Sequence, residues 1–307
     1  MNKSIMITGA NVGLGKETAR QLALVDGMEK IYLACRNPKK ADTAKMDLER
    51  STGRPIFEIV IMDVLDIKSV KSAVRSINQP IDALIMNAGG MGGKTPGRLT
   101  PSGMNELSAS NVLGHVVLVD ELLKDKKLRK VALLASTEAV RGIDKMGMRR
   151  PDLKTSTADE FASILDGSYF GNELDAMQAY GHVKYVATMW MSSQARKQPN
   201  IRFISMSPGA TSGTAAPDEL PFASKFMFKY IMMPIVMPLR GMIHSLDKGA
   251  KRFVDGINEE SFESGTFYAS KPGQVIGPVI DQSIIFPDLN NEVFQDNADE
   301  AVHRFIN

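Results

Sequence analysis

Short apolar runs alternate with amphipathic stretches along the first two thirds of this chain, and that alternation limits the folds open to it. Runs of four or five residues at 5–8, 31–34, 57–61, 83–86, 131–135 and 203–206 read as strands buried on both faces. The intervening stretches 16–25, 39–50 and 69–77 read as helices. Buried strands separated by amphipathic helices require right-handed crossovers, and hence a parallel sheet covered on both sides. The expectation is one doubly wound α/β domain over 1–307, with no dividing linker and no internal repeat.

Two stretches break the rhythm. Residues 137–176 are too long for an ordinary connection and read as an insertion with its own structure. Residues 212–241 hold Met227, Met232, Met233 and Met237 with Phe222, Phe226, Phe228 and Tyr230. Methionine adapts to irregular shapes. The stretch reads as an apolar lid over a substrate pocket, with a buried core helix or a membrane-surface contact as alternatives.

Composition excludes several classes. With 43% apolar and 23% charged residues the chain is an ordinary globular protein, and a net charge of +2 gives no reason to expect nucleic acid or an acidic membrane as partner. Cys35 is the only cysteine, so no disulfide can form within the chain. The four histidines show no metal-ligand spacing, and no metal is expected. The N-terminus enters a strand directly, without a signal-peptide pattern, and no apolar run approaches a membrane span. A cytoplasmic protein is expected.

Two local patterns carry chemistry. Between the first strand and the first helix stands Thr8-Gly9-Ala10-Asn11-Val12-Gly13-Leu14-Gly15. Glycines there let the backbone approach a pyrophosphate, and the helix N-terminus offers free N–H donors. Farther on, Tyr180 and Lys184 are four residues apart, about one helical turn, so they share a helix face. An ammonium near a phenol stabilises the phenolate. Together the patterns point to a nicotinamide enzyme that moves a hydride and a proton.

As a set, Thr8-Gly9-x-x-x-Gly13-x-Gly15, Asn87-Ala88-Gly89, Asn111, Ser136, Tyr180-x-x-x-Lys184 and Pro208-Gly209 resemble the short-chain dehydrogenase/reductase family in type and order. The likeness covers about 3–209. The start of the chain and Leu33-Ala34-Cys35-Arg36-Asn37 look like retinol dehydrogenases and related NADPH-dependent members. The resemblance implies a Rossmann-type sheet and an NADP(H) site. In NAD-using members an acidic residue ends the second strand, whereas here Cys35 holds that place and Arg36 follows. A guanidinium pairs with a 2′-phosphate that a carboxylate would repel. By the same resemblance Asp63 and Val64 would contact adenine, and Asn87, Ala88 and Gly89 would border the cofactor. Helix capping is an equally natural role for Asp63.

The resemblance also assigns catalytic roles. Tyr180 would be the general acid in carbonyl reduction. Lys184 would lower the phenol pKa and hold the nicotinamide ribose, Ser136 would bind the substrate oxygen, and Asn111 would hold a water in a proton relay. One position departs from the family: Gly213 stands where a carboxamide-binding threonine is frequent after Pro208-Gly209, flanked by Thr211, Ser212 and Thr214. The expected substrate is a bulky, largely apolar aldehyde or ketone, or the matching alcohol. A catalytically idle NADP-binding regulator remains an alternative, as does C=C reduction of the protochlorophyllide-reductase kind. Those light-dependent enzymes use a pocket cysteine, whereas Cys35 lies in the cofactor half. Many members associate through the two helices flanking the fifth strand, here 102–123 and 176–196; an insertion folded over that surface points to a monomer.

Overall fold

Each early strand is a short continuous apolar run, and each pairs in parallel with its neighbour. A computed structural model of the chain describes residues 2–143, 147–171, 174–211 and 243–306. Six parallel strands occupy the expected positions: β1 (Ser4–Thr8), β2 (Lys30–Cys35), β3 (Phe57–Ile61), β4 (Ile81–Met86), β5 (Leu128–Ala135) and β6 (Arg202–Met206). Two short C-terminal strands, β7 (Phe267–Ser270) and antiparallel β8 (Val279–Asp281), extend the sheet to eight. The order is β3-β2-β1-β4-β5-β6-β7-β8. Sequence reasoning missed β7 and β8, whose four and three residues give too short a pattern to read.

The order reverses between β1 and β4, which opens a crevice at the carboxyl ends of the central strands. Side chains alternate across the sheet. Ile5 and Ile7 of β1 join one apolar layer, and Met6 joins the other. The first layer is closed by α1 (Gly13–Ala23), α2 (Pro38–Thr52) and α8 (Leu246–Asn258), the second by α3 (Ile67–Ser76), α5 (Gly114–Lys124) and α7 (Ala176–Lys197).

Local chemistry sets the helix ends. Asn37 caps α2 by accepting the Lys40 N–H at 3.0 Å, Pro38 occupies its first turn, and Gly53 closes it in the left-handed conformation. Asp66, not Asp63, caps α3. Asp63 instead accepts the Leu65 N–H in a local turn at 3.0 Å. The helix expected over 102–123 begins later, as α4 (Glu106–Ser108). It passes through a π-helical turn (Ala109–Leu113) into α5.

The insertion is structured where it is described. It contains a one-turn 3-10 helix (Glu138–Arg141), α6 (Ala158–Asp166) and a further 3-10 turn (Ser168–Phe170). The final helix, α9 (Glu292–His303), packs with α6 against α7. The expected lid, 212–241, lies outside the described residues, as do Ser212, Gly213 and Thr214. Among the described residues no helix is long and apolar enough to cross a membrane, and no group of side chains could hold a metal ion.

Candidate active site

The parallel sheet delivers nearly every residue singled out above to one edge, because each follows the carboxyl end of a strand. Gly9 follows β1, Arg36 follows β2, Asp63 follows β3, Asn87 follows β4, Ser136 follows β5 and Pro208 follows β6.

After β1 the chain turns tightly into α1. A Cβ on Gly15 would stand 2.4 Å from the Gly9 carbonyl oxygen and 2.6 Å from Asn87 Nδ2, so only glycine allows the approach. Asn87 donates to the Thr8 carbonyl at 3.0 Å, and the Ala88 N–H to Thr8 Oγ1 at 2.9 Å, tying β4 to the turn. Asn11, Gly13 and Leu14 are half-buried around it. Val12 stands at the N-cap of α1 with no side-chain cap and is 58% exposed. The first N–H groups of α1 therefore stay available to an anion.

Arg36 and Asn37 are exposed beyond β2, and Arg36 has no partner among the described residues. Cys35 is buried, and burial pushes its thiol up to about 11, so it stays a protonated thiol at neutral pH. Val64 lies against α5, where a Cβ on Gly114 would sit 2.3 Å from its carbonyl oxygen. These features fit a dinucleotide phosphate: a close-approach turn, an uncapped helix start and a free guanidinium.

Tyr180 and Lys184 lie on α7, which Asp175 caps by accepting the Met177 N–H at 2.8 Å. Lys184 is 3% exposed. Its Nζ donates to the Ala135 carbonyl at 2.9 Å and lies 5.8 Å from the Tyr180 ring centre. Burial lowers the amine to about 8. Tyr180 is half-buried, and its hydroxyl has no hydrogen-bond partner among the described residues. Burial, and next the carboxylate of Glu138, push the phenol up to about 12. This is opposite to the lowered phenol pKa that the resemblance implied; before any ligand binds, desolvation sets the direction.

Ser136 is 4% exposed, and its Oγ lies 3.0 Å from Thr188 Oγ1. If Thr188 donates, the Ser136 hydroxyl proton is left for a substrate oxygen. Thr188 was missed in the sequence, although it stands one turn beyond Lys184 on the same helix. Asn111 occupies the π-helical turn, a distortion common at functional sites. Its Nδ2 donates to the Gly90 and Leu107 carbonyls at 2.7 and 2.8 Å, and its Oδ1 accepts the Gly90 N–H at 3.3 Å. Its side chain thus clamps the loop after β4, next to Gly89, where a Cβ would come within 2.5 Å of Asn111 Oδ1. Beneath it, buried His115 bridges the Asn111 carbonyl (3.3 Å) and Thr8 Oγ1 (3.1 Å). Burial, and then the Lys184 ammonium, lower this imidazole to about 3, so it is neutral.

After β6, Thr211 is buried against α8 and pairs by a parallel bridge with His244. His244 Nε2 lies 2.7 Å from the Pro208 carbonyl, and the Gly209 N–H donates to Ser207 Oγ at 3.0 Å. Ser212, Gly213 and Thr214, which follow, lie outside the described residues.

Comparison with known proteins agrees with this arrangement. A family model described as short chain dehydrogenase matches residues 3–146. Mouse retinol dehydrogenase 13 is 33% identical over 128 residues, covering 41% of this chain and 37% of that protein. Bovine dehydrogenase/reductase SDR family member 12 is 29% identical over 213 residues, covering 67% of this chain and 60% of that one. The chain thus aligns with less than two thirds of the length of these curated relatives. The NADPH-bound carbonyl reductase from chicken fatty liver shares the fold, with a TM-score of 0.56 at 18% identity over 90% of this chain and 98% of that one. The chain therefore resembles the short-chain dehydrogenase/reductase family, by sequence over residues 3–146 and by fold beyond them. Among the curated relatives, several retinol dehydrogenases are similar to this chain.

Proposed function

We propose that this chain is an NADPH-dependent reductase of bulky, largely apolar aldehydes or ketones, able to oxidise the matching alcohols in reverse. The observation that carries the reading is the unpartnered Tyr180 hydroxyl beside the buried Lys184 ammonium, at the strand ends and next to an open phosphate cradle. NADPH supplies a hydride when bound. The residues that would hold it are Gly9, Asn11, Val12, Gly13, Leu14 and Gly15 at the pyrophosphate and Arg36 with Asn37 at the 2′-phosphate. Asp63 and Val64 would lie at the adenine, with Asn87, Ala88, Gly89, Pro208, Gly209 and Thr211 along the remainder and Ser212 beyond the described residues. Lys184 keeps two N–H donors free of the Ala135 carbonyl, enough for a ribose hydroxyl.

A phenol held protonated across the neutral range is in the right state to give its proton to a carbonyl oxygen. Ser136 donates a second hydrogen bond to that oxygen and stabilises the developing charge. Asn111 holds the loop at Gly89–Gly90 and, through its position by Lys184, the route by which the proton is replaced. The apolar substrate class rests on the composition of 212–241.

The same reading makes the chain a monomer. Residues 181–194 of α7 are buried throughout, with α6 and α9 packed on this helix. Ser193 Oγ donates to Asp296 at 2.8 Å, Gln194 Nε2 to Asp299 at 2.7 Å, and His303 of α9 reaches Asp120 of α5 at 3.1 Å. This cover over α7 supports a monomer. Following NADPH consumption against a panel of aldehydes and ketones tests the activity; a panel of bulky apolar carbonyls without turnover contradicts it.

A further inference from the structure

A buried ion pair lies behind the proposed catalytic group, and carbonyl reduction as described makes no use of it. Glu138, two residues after Ser136, is 3% exposed, and Arg252 of α8 is 9% exposed. Glu138 Oε2 accepts from Ser207 Oγ at 2.6 Å, and Oε1 accepts the Ser270 N–H at 3.2 Å. Arg252 Nη1 stands 3.7 Å from that same Oε1. The guanidinium also donates to the Ser207 carbonyl (3.0 Å), Ser270 Oγ (2.9 Å) and the Gly277 carbonyl (2.6 Å). Ser207 Oγ, having given its proton to Glu138, accepts the Gly209 N–H at 3.0 Å. One hydroxyl therefore links the carboxylate to the Pro208-Gly209 turn.

Burying two charges costs more than packing apolar groups of the same volume, so stability alone gives no reason for the pair. Its location does. It joins the ends of β5, β6 and β7 to α8, and two of those strand ends carry Ser136 and the Pro208-Gly209 turn.

We propose that Glu138 is a positioning residue: clasped by Arg252, it fixes the Ser207–Gly209 turn at the nicotinamide end of the site and sets its carboxylate beside the turn of α7 that carries Tyr180, where a Cβ on Gly181 would lie 2.8 Å from the Ala139 carbonyl oxygen. This rests on the reductase reading above. Among the described residues, the other charged group placed against Tyr180 is Lys184 on the same helix, 5.8 Å from the ring centre. A carboxylate facing a phenol disfavours the phenolate, which keeps the proton donor loaded; the upward displacement of the phenol has this carboxylate as its second cause, after burial. In the step it serves, the proton leaves the Tyr180 oxygen for the carbonyl oxygen while the hydride of NADPH reaches the carbonyl carbon. The products are an alcohol, oxidised cofactor and a phenolate that water reprotonates. Glu138 itself exchanges no proton.

The test separates charge from positioning. Fluorotyrosine replaces Tyr180 in the full chain, and its fluorine resonance is followed through a pH series without substrate. Glu138→Gln should lower the titration midpoint by about half a pH unit or more. Ser207→Ala cuts the link to Gly209 but keeps the charge; it should leave the midpoint in place and lower kcat for reduction about tenfold. A folded Glu138→Gln protein with the parent midpoint overturns the charge role, and Ser207→Ala at full kcat overturns the positioning role. Where Glu138→Gln does not fold, Glu138→Gln with Arg252→Met is compared with Arg252→Met alone, so that only the carboxylate differs, and equal midpoints in these two proteins are contrary. The fluorine titration needs no turnover, so a protein inactive on every carbonyl defeats the reductase reading while the midpoint still decides the charge.

Discussion

Lys184 Nζ lies 5.8 Å from the centre of the Tyr180 ring and is anchored 2.9 Å from the Ala135 carbonyl. One anchor for a buried ammonium is poor compensation, and its amine is lowered to about 8. The folded state therefore resists protonating a group that the unfolded chain protonates up to its ordinary value of 10.5. Between these values the unfolded state binds more protons, so stability rises with pH. Below about 8 the full penalty, on the order of 3 kcal/mol, is present. Lys184→Met should thus stabilise the ligand-free protein at neutral pH, with the gain fading as pH rises toward 10.5. Denaturant melts of both proteins at several pH values check this. An equal difference at every pH would contradict it.

Arg36 is exposed and unpaired among the described residues, so its charge is available to a 2′-phosphate. NADPH should bind about tenfold or more tightly than NADH, the value of a charge-assisted hydrogen bond. Arg36→Ala should erase most of that difference. Fluorescence titration with both cofactors at moderate salt gives the answer, and equal affinities in the parent protein would defeat the assignment.

Gly15 faces the Gly9 carbonyl oxygen across a gap that a Cβ would reduce to 2.4 Å. Because that oxygen belongs to the backbone, the turn itself must move. Gly15→Ala should cost about 1–3 kcal/mol of stability, the usual range for overpacking, and should weaken NADPH binding at the same time. Unchanged cofactor affinity in the variant would mean that this turn does not cradle the phosphates.

Light scattering at micromolar concentration should report a monomer, because α6 and α9 cover α7. A stable dimer or tetramer would show that another surface serves for association.

The six parallel strands were legible because each is a continuous apolar run, and runs such as 5–8 and 131–135 occur at the expected places. The strand-end residues were legible because their types and spacing are specific as a set. Three things were not. Strands β7 and β8 are too short to carry a period. Asp63 and Asp66 both suit a helix start, and only the backbone shows that Asp66 caps α3. Glu138 and Arg252 are 114 residues apart (252 less 138), and nothing local marks either as one half of a buried pair. Thr188 was within reach, since its spacing from Lys184 repeats that of Lys184 from Tyr180.

Tyr180 is the proposed proton donor. Its hydroxyl has no partner among the described residues, and its pKa of about 12 keeps it protonated at neutral pH. The direct measurement is NADPH oxidation by the parent protein and by Tyr180→Phe on one accepted ketone, with NADPH affinity measured alongside. The account predicts a loss of about 10²–10⁴-fold in kcat at unchanged affinity, the usual contribution of a general acid. Parent rates in Tyr180→Phe would mean that another group supplies the proton.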